Sequence, residues 1–393
     1  MIHNRTLLTV SIAVCAAYIG IGMVVPVRVL YAESQGASVA IIGAMASAYL
    51  LSNFLFQYPS GWLADRWGRK PMMVCSLLGQ AGLSLVYLFI SDPVLFVLLR
   101  FAEGIVAAAF LPSARALIAD AVPEEKRGEA FGIFGAFLNM GFLFGPALGG
   151  IIGAFGYAHP FISAALFRLL AVTLVMVMVR SHVRRQQQEA MVVVRLKELF
   201  TIPLIGSYLL AFGDFLYLGF DITLVPLWMH DHLGASVQWI GISYIFWSLP
   251  VIILSPISGR IADRRRRSTM ILIFGLGQVP IYMIYGLSNS FILVVALFLL
   301  HGALYAFIQP AVDSHVAAAS VGKARARIMG LYSAFGLAGA FAGANGSSVL
   351  YAWNFRYPLF ALGIGYGMCV LIGGLLIRRA EKTTAQSLLE KTL

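Results

Sequence analysis

Gly61-Trp62-Leu63-Ala64-Asp65-Arg66-Trp67-Gly68-Arg69-Lys70 reads as a charged loop joining two long apolar runs. An abbreviated copy, Gly259-Arg260-Ile261-Ala262-Asp263-Arg264, follows 198 positions later. A charged loop repeated between membrane-length apolar runs describes two similar halves in a bilayer. Membrane proteins built this way commonly move solutes by rocking one half against the other.

Composition supports the bilayer. The 393 residues are 60% hydrophobic and only 11% charged, where soluble domains carry about a quarter charged residues. Too few polar positions remain to cover a water-facing surface. A membrane helix needs roughly 20 apolar residues, and runs of that kind fall at 7–30, 41–63, 71–90, 93–118, 130–154, 158–180, 204–228, 238–259, 269–288, 291–317, 327–350 and 355–377. Nothing alternates in the way a membrane β-barrel requires. The expected fold is all-α, integral to the membrane, with twelve transmembrane helices.

The net charge of +11 raises the possibility of a nucleic-acid partner, but its placement argues against one. Of 28 Lys and Arg, all but Arg28, Arg100, Arg115, Arg168 and Arg356 fall at the termini or in alternate loops. Cationic loops stay in the cytoplasm. Both termini are therefore expected to be cytoplasmic, in a multi-pass protein of the inner cell membrane. The first apolar run is longer than a signal-peptide core. Cys15, Cys75 and Cys369 all lie inside expected helices, so no disulfide framework or metal-ligand spacing arises.

The offset of 198 recurs without a gap: Gly104 with Gly302, Pro112 with Pro310, Arg127 with Arg325, Gly132 with Gly330, Gly141 with Gly339 and Gly145 with Gly343. This register predicts two pseudo-symmetric six-helix bundles. The expected organisation is a first bundle at 1–181, a cytoplasmic linker at 182–203 with a surface helix near 192–199, a second bundle at 204–380, and a cytoplasmic tail at 381–393.

Several motifs together resemble those of the major facilitator superfamily. The first is Gly61-x-Leu63-Ala64-Asp65-Arg66-x-Gly68-Arg69-Lys70, between helices 2 and 3. Leu99-Arg100-x-x-Glu103-Gly104 is similar to the helix-4 pattern, in which the family often has Gln at the position of Glu103. Asp120-x-x-Pro123-Glu124-Glu125-Lys126-Arg127-Gly128 resembles the loop after helix 4. Gly141-x-x-x-Gly145-Pro146-x-x-Gly149-Gly150 resembles the helix-5 antiporter motif. The resemblance covers essentially the whole chain and implies the twelve-helix drug or metabolite–proton antiporter branch. It also implies a conformational latch of Gly61, Asp65, Arg69 and Asp120. Helices 1, 4, 7 and 10 would line a central cavity.

The residue types fit those roles. Gly61 removes a side chain where helices approach closely. Asp65 can accept hydrogen bonds from an opposing helix N-terminus, and Arg69 can bridge carboxylates. Gly141, Gly145, Gly149 and Gly150 make a small-residue surface and Pro146 bends it. That surface is expected to meet helix 8.

Ionisable groups in hydrocarbon are expensive and face a cavity or a partner. Here they are Arg28 on helix 1, Arg100, Glu103 and Arg115 on helix 4, Asp214 and Asp221 on helix 7, and Asp313 on helix 10, with Arg168 on helix 6 as the exception. Glu103, Asp214 and Asp221 are the candidate proton carriers, with Arg100 tuning Glu103. The candidate cavity residues are Arg28, Tyr18, Tyr217, His301, Gln309, Asp313 and Arg115. The repeat aligns Glu103 with His301 and Arg115 with Asp313, so Glu103 and His301 are expected to face each other across the cavity and Arg115 to meet Asp313 nearer the cytoplasmic mouth.

The leading function is export of a small amphipathic drug or metabolite by proton antiport, in rocker-switch fashion. Proton-coupled uptake, flipping of a lipid-linked metabolite and a non-transporting membrane sensor are the alternatives. Pooled over the cavity helices, four acids against three arginines weakly favour cationic or zwitterionic substrates. No enzyme-like nucleophile–base–metal set is present. Gly322-Lys323-Ala324 lacks the rest of a phosphate-cradling loop. The expected partners are a small-molecule substrate, protons and lipid, with no cofactor, no metal and no nucleic acid, in a monomer.

Overall fold

The computed structural model of the protein describes residues 4–123, 126–179, 199–264, 266–319 and 325–392. Among these residues the chain forms twelve long helices. They are α1 (Arg5–Ser34), α2 (Val39–Trp67), α3 (Arg69–Val86), α4 (Pro93–Ala121), α5 (Arg127–Gly153) and α6 (Ala158–Met178), then α7 (Ile202–Asp231), α8 (Val237–Arg264), α9 (Arg267–Leu287), α10 (Phe291–Ala319), α11 (Arg325–Trp353) and α12 (Tyr357–Thr392). The linker expected at 182–203 and its surface helix lie outside the described residues except for 199–203, as do Glu124 and Glu125.

Local chemistry sets the helix starts. The Asn4 side chain accepts from the Leu7 amide, Ser38 from Ile41 and Asp92 from Val94, each quenching a donor that the first turn leaves free. The stretch expected as a ten-residue loop is instead nearly all helix. Helix α2 continues through Trp67 and α3 begins at Arg69. Gly68 alone makes the turn, at φ +100°, a conformation that residues with a Cβ rarely adopt. Helix α4 breaks between Ala107 and Phe110, one turn before Pro112, whose ring displaces the preceding carbonyl. Its repeat partner Pro310 sits inside the unbroken α10.

Eleven helices are long and apolar enough to cross a membrane. The exception is α11, which was expected to qualify. Its five glycines with Ser333, Asn345, Ser347 and Ser348 lower its hydropathy, although it has 29 residues. Those small residues serve packing. In lipid, helices associate by close contact rather than by expulsion of water.

Contacts among the described residues divide the chain into two units, Met1–Glu189 with Ile222–Ile245, and Ala190–Asp221 with Phe246–Leu393. The first has a dry core of Leu7, Val14, Met73, Leu77, Phe110, Ile118, Phe134 and Val175, contributed by α1, α3, α4, α5 and α6. Each unit uses repeat-equivalent glycines for several close helix approaches. A Cβ on Gly104 would strike the Tyr49–Asn53 backbone of α2, and one on Gly302 the Trp247 backbone of α8. Tyr49 and Trp247 are themselves 198 positions apart. Likewise Gly141 and Gly145 seat α5 on α1, while Gly339 and Gly343 seat α11 on α7.

In the second unit Glu381, on the extension of α12, caps the start of α9. It accepts from the Ser268 hydroxyl at 2.6 Å and from the Ser268 amide at 3.3 Å. At the repeat-equivalent place in the first unit, Lys70 donates to the Met176 carbonyl at 2.9 Å and to Val179 at the end of α6.

Candidate functional site

Glu103 is only 5% exposed, in α4. Arg100, three residues earlier and so on the same helical face, donates to its Oε2 at 2.6 Å, and Arg28 from α1 lies 3.8 Å from the same oxygen. The Tyr87 hydroxyl lies 3.4 Å away. The Arg100 guanidinium stacks over Tyr49 at 4.1 Å. Arg168, the charge that had no cavity helix to belong to, joins this neighbourhood and donates to the Ser84 hydroxyl. Glu103 is thus committed to two guanidiniums. Removing its charge would strand them in a place where an unpaired ion is costly.

The second unit holds a different arrangement. The Tyr305 hydroxyl on α10 lies 3.3 Å from Asp214 Oδ2 on α7 and 3.2 Å from Gln309 Oε1. One turn further, Gln309 Nε2 donates to Asp313 Oδ1 at 2.9 Å. Two carboxylates are therefore joined through a phenol and an amide. Among the described residues neither acid has a cation within 4 Å, in contrast to Glu103. Asp214 is half-buried and Asp313 exposed. Asp221 is half-buried two turns beyond Asp214.

His301, only 1% exposed, has both ring nitrogens occupied. The Tyr282 hydroxyl lies 3.3 Å from Nε2 and the Tyr285 hydroxyl 3.4 Å from Nδ1. Tyr217 meets the imidazole edge-on at 5.0 Å. Glu103 and His301 thus each find their neighbours inside their own unit. Arg115 is exposed, and Tyr18 packs its ring against Phe142 at 4.9 Å.

Of the four latch residues, the structure joins two. Arg69, at the start of α3, pairs with Asp120 near the end of α4 and donates to the Ala116 carbonyl at 2.8 Å. Asp65 is exposed and makes no ion pair among the described residues. The close approach expected at Gly61 is not made. Among the described residues a Cβ there would meet nothing within 4 Å.

The helix-5 glycines also differ from expectation. Gly141, Gly145 and Gly149, one turn apart, all pack on α1, at Cys15, Ile19, Gly22 and Met23. Of the motif residues, Gly150 and Pro146 reach α8. A Cβ on Gly150 would come 2.7 Å from the Val237 carbonyl, and Gly241 abuts the Pro146 carbonyl. Residues four apart share one face of a helix, so the stripe serves one neighbour, and Gly150 lies on the next face.

Sequence reasoning does not single out Tyr87 or Tyr285; it gives Tyr305 only as a cavity-lining aromatic and Arg168 as the charge off the cavity helices. The repeat carried a usable signal. Tyr87 aligns with Tyr285 and Arg168 with Tyr366, as Glu103 aligns with His301.

Comparison with known proteins agrees with this architecture. The chain is 24% identical over 386 residues to "Multidrug resistance protein 2" of Bacillus subtilis (strain 168), covering 95% of this chain and 94% of that protein. It is 25% identical over 246 residues to "Quinolone resistance protein NorA" of Staphylococcus aureus, covering 61% and 62% respectively. In fold it matches a bacterial homolog of the human lysosomal transporter Spinster, in an inward-facing and unoccupied conformation. The TM-score is 0.77 at 15% identity, over 96% of this chain and 98% of that one. It also matches a D-xylose–proton symporter at a TM-score of 0.72 and 16% identity, over 96% and 97%. The sequence model of the Major Facilitator Superfamily matches residues 10–224 and 215–392. Twelve helices, membrane-length apolarity and this match agree: the chain belongs to the Major Facilitator Superfamily, as a multi-pass secondary transporter and not an enzyme.

Proposed function

We propose that the protein exports a small amphipathic compound across the cytoplasmic membrane by proton antiport. In this reading two six-helix bundles, 1–181 and 204–380, rock about the substrate, and both termini lie in the cytoplasm. The full-length similarity to a multidrug resistance protein supports drug-like cargo, and the cationic loops support the orientation.

The observation that carries the coupling is the Asp214–Tyr305–Gln309–Asp313 chain. A phenol has one proton to give and lone pairs to receive. When Asp214 is ionised, Tyr305 donates to it. When Asp214 is protonated, its own hydroxyl donates to Tyr305, which then turns its proton to Gln309. Both states are satisfied without a cation, so Asp214 accepts and releases a proton without breaking an ion pair. Asp313 gives the same chain an exposed end. Glu103 with Arg100 is a fixed ionic brace of the first bundle, and Asp221 is a secondary acid on the Asp214 helix. Arg69 with Asp120 forms the conformational latch, which Gly61 and Asp65 join in a different conformation from this one.

The test is transport in proteoliposomes under an imposed pH gradient, screening lipophilic ions and metabolites. Asp214→Asn should abolish accumulation against a gradient while sparing downhill exchange. Accumulation that survives in Asp214→Asn and in Asp313→Asn defeats the coupling assignment. Substrate and protons moving in the same direction would make the protein a symporter.

A further inference from the structure

In the first unit, one carboxylate answers three guanidiniums. Arg100 and Arg28 pair with Glu103, and Arg168 shares its electrostatic neighbourhood while bonding only a neutral hydroxyl. The Nε atoms of Arg28 and Arg168 are both buried and have no hydrogen-bond partner among the described residues. Arg168 is only 3% exposed, so water does not serve it from the surface. A buried cation with unmet donors is a costly arrangement. Two such cations beside one already shared carboxylate leave the cluster short of negative charge and of acceptors. Arg28 is its most open member, with 14% of its side chain exposed against 8% for Arg100 and 7% for Glu103.

We propose that Arg28, backed by Arg168, receives an oxyanion of the transported molecule. The inference rests on the transport reading for the word substrate, and it makes that substrate a carrier of a carboxylate- or sulfonate-type group. A guanidinium fork suits such a group because its planar donors match two oxygens. Pooling the charges of the cavity helices hid this. Three of the four pooled acids, Asp214, Asp221 and Asp313, belong to the other unit, and the cavity-helix charges of the first unit taken alone have a surplus of positive charge.

The test is equilibrium binding of benzenesulfonate and of phenyltrimethylammonium, permanent ions of similar size. The full chain is held in phosphatidylcholine nanodiscs and titrated by calorimetry. The sulfonate should bind and the ammonium should not compete. Arg28→Gln should weaken the sulfonate by about tenfold or more, the worth of one charge-assisted pair. Glu103→Gln frees two guanidiniums and should tighten it, a change that a misfolded variant does not produce. Absent sulfonate binding, equal binding of both ions, or binding unchanged in Arg28→Gln overturns the proposal. In nanodiscs containing phosphatidylglycerol, retained binding supports a soluble anion, whereas lost binding assigns the site to a lipid headgroup and overturns the substrate reading. No pH gradient is imposed, so failure here leaves proton coupling standing, and failed coupling leaves this result standing.

Discussion

Tyr87 and Tyr285 stand 198 residues apart and do the same thing in their own units. Tyr87 brings its hydroxyl to 3.4 Å from Glu103, and Tyr285 brings its own to 3.4 Å from His301. The residues they address are also 198 apart. One framework has thus been filled twice with different chemistry. Arginines surround the acid in the first half, and rings surround the imidazole in the second. The first centre is built on ion pairs, and the second on hydroxyls and aromatic rings.

Replacing Tyr305 by Phe leaves Asp214 and Gln309 in place but removes the hydroxyl between them. Gradient-driven accumulation should fall by about tenfold or more, the loss of one hydrogen bond to a charged group. Downhill exchange should persist. Fluorescent pH recording inside proteoliposomes would measure proton movement per substrate, and an unchanged ratio would remove Tyr305 from the coupling path.

Glu103→Gln should lower stability by about 3–5 kcal/mol, the usual penalty for breaking one side of a buried ion pair. Thermal unfolding in detergent reads this directly. Combining Glu103→Gln with Arg100→Gln should recover part of the loss, because fewer cations are stranded. Strict additivity of the two changes would show that the pair is not coupled.

Two glycines in the motifs that resemble the family's should behave oppositely. Gly104→Leu forces a side chain into the α2 backbone at Tyr49 and Asn53 and should cost about 1–3 kcal/mol or more of stability. Gly61→Ala meets nothing within 4 Å and should leave thermal unfolding unchanged. Any effect of Gly61→Ala on transport rate would then report a different conformation, in which that face of α2 is covered.

Arg69→Ala and Asp120→Asn should impair transport to a similar degree, and the double variant should be no worse than either. Such non-additivity marks residues that act as one contact. Independent, multiplying defects in a double-mutant cycle of transport rates would separate them and end the latch assignment.

Membrane residence, helix count, the 198-residue repeat and the family motifs were determined by the sequence alone. Each depends on local apolarity or on linear register, and a membrane helix satisfies its backbone within itself. Which acid is paired with arginines and which meets a phenol instead was decided only by tertiary structure. Glu103, Asp214 and Asp221 look alike as single acids in apolar helices. Their difference lies in partners brought from afar: Arg28, 75 positions before Glu103, and Tyr305, 91 after Asp214. The glycine surface of α5 was legible as a stripe, but its choice of α1 over α8 was not, because small residues permit close approach without naming a neighbour. Charge arithmetic along the chain failed for the same reason. Electrostatic energy depends on the separation of groups in space and on what lies between them, and a linear count contains neither.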